Sequence, residues 1–395
     1  MKKTIFAVSI FLLGTLTGLT ALAESVNISE EQRAVLQRLA PGVEITPELM
    51  ELMREITLNS NMTVDQRLQA IGRLSGMTDL PVDQRMAFKI CIWDIAGRAG
   101  PVFAIAEQER IRMMQYGVNV EMIPFTNEGV MADELKAGRC DAALMSGMRA
   151  RLFNTFSGTI DAVGALPTAQ HMKTLLQVVA HPSNAGRMVQ GEYVVLGVFP
   201  AGAAYIFVND REINTLGKAA GKKVAVLDFD PMQARMISGI GATPVSTDIT
   251  RAPGMFNNGV VDVLAAPLLA YEVLELYKGL DPDGGIIDYP LAQISMQLIG
   301  HRAKFPNEIA QLVREAAFER YDDIMEFINN EESRIPEKWM VSIPEEDKQE
   351  YETMMQDARI ELRELGYYHP EMLHLQLRIR CRIEPDRSEC TNPRE

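Results

Sequence analysis

Hydrophobic spacing divides this chain into a helical start, an alternating middle and a helical end. Between residues 24 and 86 the apolar positions recur every three or four residues. Met50, Met53 and Ile56 share one face, with Leu49 and Leu52 beside them, and Leu68, Ile71 and Leu74 repeat the spacing after Thr63. Ser29, with Gln32 three residues on, has the form of a capping box. From Phe88 the period shortens. Residues 89–93, 119–124 and 141–145 are predicted as strands, and 102–116 and 128–137 between them as helices. After an irregular stretch, 170–179 is predicted as a helix. Segments 192–198 and 205–208 are strand-like and flank Phe199-Pro200-Ala201-Gly202, a stretch suited to crossing between lobes; 286–298 is rich in β-formers. From Pro306 the helical spacing returns. Ile309, Leu312, Val313, Ala316 and Ala317 make an apolar stripe that continues to Ile324 and Phe327, and a long helix over about 344–365 is stopped by Gly366.

Two phrases within the middle region occur twice, in the same order. Lys89-Ile90-Cys91-Ile92-Trp93-Asp94 is answered by Lys223-Val224-Ala225-Val226-Leu227-Asp228. Gly138-Arg139-Cys140-Asp141-Ala142-Ala143-Leu144 is answered by Gly259-Val260-Val261-Asp262-Val263-Leu264-Ala265. Strands alternating with helices, twice over, predict an α/β fold of two lobes with parallel or mixed sheets and helical extensions at both ends. The expected division is a helical extension over 24–86, a first lobe over 87–200 with a return segment over 268–300, a second lobe over 201–267, and C-terminal helices with a Cys-bearing tail over 301–395.

The first residues change the picture by setting the compartment. Lys2 and Lys3, an apolar run from Ile5 to Leu19 and the small-x-small Ala21-Leu22-Ala23 have the form of a cleavable secretory leader over 1–23. The run holds Gly14, Thr15, Thr17 and Gly18 and is short for a membrane span of about 20 residues. The expectation is an exported, periplasmic protein. Its net charge is −14 over 395 residues, and loss of a leader with two lysines and no acids takes it to −16. Nucleic acid is therefore not an expected partner, because neutralising phosphates needs clustered Lys and Arg. Four cysteines in an exported chain make disulfides plausible. Cys381 and Cys390 are expected to pair. Cys91 and Cys140 can meet if their phrases form neighbouring strands, or can stay buried free thiols.

No catalytic constellation stands out. The Gly-x-Ser-x-Gly and His-Glu-x-x-His patterns are missing from the sequence, and the five histidines are scattered without metal-ligand spacing. The recurring Asp141 and Asp262 could be paired carboxylates, but equivalent places in two repeats assign them to turn hydrogen bonding. No enzyme activity, metal or cofactor is expected. Ligands of open α/β folds bind beyond the carboxyl ends of the strands. That rule selects Arg98 in its Gly/Ala-rich loop before a helix, where amides and a guanidinium could hold an anion together. It also selects Arg149 and Arg151 after the 141–145 strand, Trp93 as a stacking surface, Asn127 at a strand end, and Asp228 with Asp230 as cation ligands or helix caps. Tyr205 is a candidate cleft residue at the crossover.

The order of these elements, with Leu135-Lys136-Ala137-Gly138 before Asp141, Ala165-Leu166-Pro167, Gly221-Lys222-Lys223-Val224, Asn258-Gly259-Val260-Val261-Asp262 before Pro267 and Phe305-Pro306-Asn307-Glu308-Ile309, resembles the dicarboxylate-type solute-binding subunits of tripartite ATP-independent periplasmic (TRAP) transporters. The resemblance spans about 88–328. It implies a two-lobed binder that closes on a small organic solute, a carboxylate by preference, and delivers it to an integral-membrane permease. The family's clamp arginine is replaced here by Ala225, and its Gly-Gln-Glu-Asn by Val263-Leu264-Ala265-Ala266, so the chain has the look of a divergent branch. The rival reading is an adaptor of an efflux or envelope complex built on the same fold.

Overall fold

The computed structural model describes Ala34, Gln37 and residues 43–395 apart from Met86. The leader and the capping box at Ser29 lie outside the described residues. Helices α1 (Pro47–Thr57) and α2 (Val64–Leu74) begin where their caps dictate. Thr46 accepts from the Leu49 amide, and Thr63 and Gln66 bond each other's backbone as a reciprocal capping box. Met53 and Ile71 turn inward against Leu312.

Strand β1 (Ala87–Trp93) lies between β2 (Asn119–Phe125) and β3 (Ala142–Ser146), parallel to both. Helices α3 (Pro101–Gln115) and α4 (Glu128–Lys136) connect them. After α5 (Ala169–Ala180), β4 (Val189–Gln190) and β5 (Tyr193–Val208), the pattern recurs. Strand β6 (Lys223–Leu227) lies between β7 (Thr243–Thr247) and β8 (Val263–Pro267), again parallel, with α6 (Pro231–Gly239) and α7 (Ala252–Asn257) as connections. The repeated phrases do the same work in both units. The Asp141 and Asp262 carboxylates each accept from the amide of the repeated lysine in the central strand, Lys89 and Lys223, at 2.8 Å. The lysine carbonyls accept the Asp141 and Asp262 amides in return, at 2.7 and 2.8 Å. Gly138 and Gly259 end the preceding helices at φ +70° and +68°, the left-handed conformation a side chain would resist.

Strand β9 (Gly285–His301) returns antiparallel to β5 and completes one sheet in the order β2-β1-β3-β9-β5-β8-β6-β7. Residues 193–200 of β5 pair with 295–301 beside the first unit, and 203–208 pair with 285–293 beside the second. A bulge at Pro200/Ala203 separates the two stretches, and further register shifts fall within them at Val195/Gly197 and Ala204/Ile206. The segment expected as two strands around a crossover is thus one bulged strand. The return segment expected wholly in the first lobe is shared. Its residues 268–280 pack with β8 and α7 through Leu268, Tyr271, Leu276 and Leu280, because their apolar side chains complete the second unit's core.

The stripe that begins at Ile309 forms two helices, α8 (Asn307–Glu319) and α9 (Tyr321–Glu332), broken at Arg320. After the short strand β10 (Met340–Val341), α10 (Glu345–Glu364) and α11 (Pro370–Ile383) close the chain. Disulfides join Cys91 to Cys140 and Cys381 to Cys390. The second pins the tail so that Glu389 and Glu395 meet the buried guanidinium of Arg380, at 2.7–2.9 Å. Arg359 shares Glu395. These arginines also donate to the Ala165 and Val163 carbonyls, fastening the tail to the segment after Asp161.

Candidate functional site

The sheet pairings aim both units at one place. Ser146, the last residue of β3, lies opposite Met296, which faces Phe199 of β5. Pro267, the last of β8, lies opposite Ala204. The carboxyl ends of the parallel strands therefore converge from both sides on the bulged stretch 200–204. Tyr205 sits there half-buried, and burial pushes its hydroxyl up to about 12, with the nearby charges of Glu332 and Asp288 adding to the rise.

Arg149 follows β3 in the short helix Gly147–Ala150, started by the Ser146 hydroxyl. Its guanidinium carbon stands 3.5 Å from the centroid of Phe229, which lies beyond β6 in the other unit. Its Nε is 3.4 Å from the Glu128 carboxylate, whose other oxygen accepts the Ser146 amide at 2.6 Å. Glu128 is fully enclosed, and burial raises its pKa against the pull of Ser146 and Arg149. The Arg149 side chain keeps 14% exposure. Asn127 is exposed beside it. A side chain on Gly129 would touch both the Asn127 oxygen and the Arg149 guanidinium, and Asn127 itself caps α4 through the Val130 amide.

Arg151 is deeper. It donates twice to the Gly158 carbonyl, lies 4.1 Å from the Tyr367 ring centroid and 5.2 Å from that of Tyr368, and reaches Asp230 at 3.9 Å. Tyr367 donates to the same Asp230 carboxylate at 2.5 Å. Gln233 of α6 contacts the Met148 sulfur at 3.6 Å. These contacts tie the end of β3 to the end of β6. Beneath them, Asp161 accepts from the Ser295 hydroxyl at 2.6 Å and amide at 3.2 Å. Burial pushes its carboxyl up to about 7, against those hydrogen bonds and the charge of Arg151. A Cβ on Gly147 would stand 2.4 Å from both Asp161 and Ser295, so only glycine lets the chain pass over this pair.

The other predicted residues stand differently. Trp93, half-buried, donates to the Thr126 carbonyl at 3.3 Å. The anion-holding loop expected around Arg98 is already filled. Asp94 folds over Gly100 and accepts the Ala96, Val102 and Phe103 amides, so the chain's own carboxylate takes the helix N-terminus. Arg98 is exposed, its guanidinium carbon 5.2 Å from the Phe103 ring centroid. Asp228 is exposed in the turn after β6, and Asp230 caps α6 in its place. The sequence reasoning passed over Glu128, Asp161, Phe229, Ser295 and Tyr367. Among them only Ser295 carried a signal: with Gln293 and Gln297 it alternates through an apolar strand, and all three are buried. Among the described residues no group of three or more metal-ligating side chains occurs, and no helix is long and apolar enough to cross a membrane.

This arrangement of two β-α-β units on a shared antiparallel ribbon can be set beside known proteins. The family model "Solute-binding protein AdeT 1/2" matches residues 82–395. The chain belongs to this family of solute-binding proteins. It is 38% identical over 299 residues to the probable solute-binding protein AdeT1 of Acinetobacter baumannii, covering 76% of this chain and 98% of that one. Among solved structures it is similar to a TRAP periplasmic solute-binding protein from Ochrobactrum anthropi with a C-terminus bound in the ligand-binding pocket (TM-score 0.61, 13% identity, 78% of this chain and 98% of that one). It is also similar to one from Shewanella oneidensis with bound succinate (TM-score 0.60, 13% identity, 74% and 99%). At such identities the likeness shows the fold, which is the two-lobed binding-protein fold expected from the repeats. The family is one of binders, not enzymes, and the adaptor reading is not favoured. Residues before 82, with α1 and α2, lie outside the match.

Proposed function

We propose that this solute-binding protein captures a small anionic organic solute in the seam between its two units, in the periplasm, and presents it to an integral-membrane permease. The observation that carries the reading is Arg149. It stands at the carboxyl end of a lobe-one strand, retains access to solvent, and spans the seam to Phe229. A guanidinium over an aromatic ring is preorganised for a carboxylate. Asn127 supplies a neutral polar group beside it, Trp93 a ring edge, and Tyr205 a wall at the bulge. Arg151 braces the closed seam through Asp230, while Arg98, exposed at the rim, can steer an anion and the exposed carboxylate of Asp228 disfavours a dianion on its side. Relatives of this fold with bound succinate, orotate and gulonate support a carboxylate. With Ala225 in place of a second arginine, one strong anion contact is expected.

Thermal unfolding of the disulfide-intact protein against organic acids, amino acids and sugars tests this. A ligand at a hundredfold excess over its Kd adds about 2.7 kcal/mol to stability. One class of acid should raise the midpoint by several degrees, and Arg149→Met should abolish the rise. No response from any compound after unfolding, washing and refolding, or an undiminished response in Arg149→Met, rejects the assignment.

A further inference from the structure

Along the strands of the first unit, alternate side chains face opposite ways. Cys91, Ala143, Met145 and Ile299 face a core closed by α4, α5 and α11. Their neighbours Ile90, Ile92, Met122, Leu144 and Leu298 instead floor a cavity of ≈ 670 Å³ on the other face. Val102, Ile105 and Met113 of α3 form one wall, and Ile309, Val313 and Ile324 of α8 and α9 the other. Met50, Met53 and Ile71 of α1 and α2 close one end. These two helices precede the family match at residue 82, so part of the enclosure is an addition to the family's common core. Phe199, Pro200 and Ala201 of the bulge and Met296 belong to its lining, but the seam residues Arg149, Phe229 and Asp161 do not.

The volume falls in the range of about 300–1,000 Å³ that holds a small-molecule ligand, and the lining is of the apolar kind such sites use. Methionines at positions 50, 53, 113, 122 and 296 give it adaptable walls. The charged lining is biased. Arg54, Arg110, Arg112, Lys304 and Arg320 stand against Glu109 and Asp323, in a chain whose net charge is −14. Each of these cations has an acid in reach: Arg54 has Glu51, Arg110 has Glu107, Arg112 and Arg320 share Glu109, Arg320 also meets Asp323, and Lys304 meets Asp141. Glu51, Glu107 and Asp141 do not line the cavity, and partly exposed pairs of this kind hold their cations weakly. The lining itself thus carries more cations than acids at its charged margin and is apolar at its floor.

We propose that this cavity is a second binding site, adjoining the interlobe seam at the bulge but not reaching Arg149, for a single-chain anionic amphiphile of the long-chain carboxylate type. The hydrocarbon lies along the Ile90–Leu298 floor and the head group meets the arginine margin. Each buried methylene contributes about 0.8 kcal/mol, so affinity should rise about fourfold per carbon until the cavity is filled.

The test uses the purified full protein, stripped of lipid, titrated with saturated carboxylates of eight to sixteen carbons. The expected result is a steep gain with chain length, with dodecanol weaker than laurate and dodecyltrimethylammonium weaker still. Ala106→Phe with Ala316→Phe, which fills the cavity, should cost at least tenfold in affinity, and Arg149→Met should cost nothing. The chain-length series in the unaltered protein decides the matter even if the filled variant folds poorly. Affinity indifferent to chain length, or equal binding of the cationic amphiphile, overturns the proposal. So does partition onto two-chain phospholipid vesicles without uptake of the free acid. Uptake seen only in a Leu36→Glu, Leu39→Glu variant would assign the cavity to the chain's own residues 24–42. Self-association blocked by the filling substitutions would assign it to a second copy, and either outcome overturns the proposal too.

Discussion

Replacing Asp161 by Asn should remove much of the pH dependence of stability between about pH 4 and pH 7. The carboxyl is enclosed, bonded to the Ser295 amide and hydroxyl, and raised from 3.8 to about 7 by burial. Its proton is thus held more tightly in the folded than in the unfolded chain. The stability it contributes is fully present below the unfolded value near 3.8 and is lost as pH rises through about 7. A gap of about three pK units at about 1.4 kcal/mol each makes the difference between pH 4 and pH 8 about 4 kcal/mol. The group is buried, so solvent screening does not reduce this figure. Asparagine keeps an acceptor for Ser295 and cannot ionise. Urea unfolding of both proteins at pH 4, 5, 6, 7 and 8, with the free energies subtracted at each pH, cancels every other titrating group. The difference should move by about 4 kcal/mol in favour of Asp161→Asn as pH rises, nearly all of it before pH 7. A difference flat to within about 1 kcal/mol would show that the carboxyl ionises as freely in the fold as outside it, and the argument from burial would fail.

Two further outcomes follow from the tail. Arg380→Met strands the Glu389 and Glu395 carboxylates in a buried place with only Arg359 and Arg387 near; urea unfolding should show a loss of about 3–5 kcal/mol, and a loss under 1 kcal/mol would mean that water reaches the cluster. Replacing Cys381 and Cys390 together by Ser frees a loop of about ten residues in the unfolded state and should lower stability by about 2.7 kcal/mol on the chain-entropy view, read by the same titration with and without reductant; an unchanged midpoint would mean that the ionic cluster alone holds the tail.

The paired units were legible because their chemistry is local. A lysine, a strand, a glycine-ended helix and an aspartate lie within about fifty residues of one another, and Asp141 and Asp262 show the same bonds in both copies. The disulfide between Cys91 and Cys140 followed from that neighbourhood once β1 and β3 pair. The ribbon was harder. Pro200-Ala201-Gly202 has the composition of a turn, yet it is a bulge within one strand, because β9 supplies a continuous partner on the other side. The N-terminus of α3 misled for a different reason. Its amides invite an anion, but Asp94, six residues before Gly100, already answers them. The aromatic box around Arg151 comes from Tyr367 and Tyr368, more than two hundred residues away, where no spacing rule reaches. Phe229 became meaningful only when the sheet brought it across to Arg149.

The shared ribbon also dictates an order of assembly. Strand β3 is complete at Ser146, but its neighbour in the sheet is residues 296–300 of β9. The core behind it further needs Tyr321, Met372 and Ile379. The first of the two units is therefore finished after the second, since its final wall comes from Met372 and Ile379 of α11. Such distant contacts make for slow folding, because long loops must close before the packing rewards them. Until α11 has been made, a nascent chain of this design can hold its first unit only partly packed, with one side of that core still open to water.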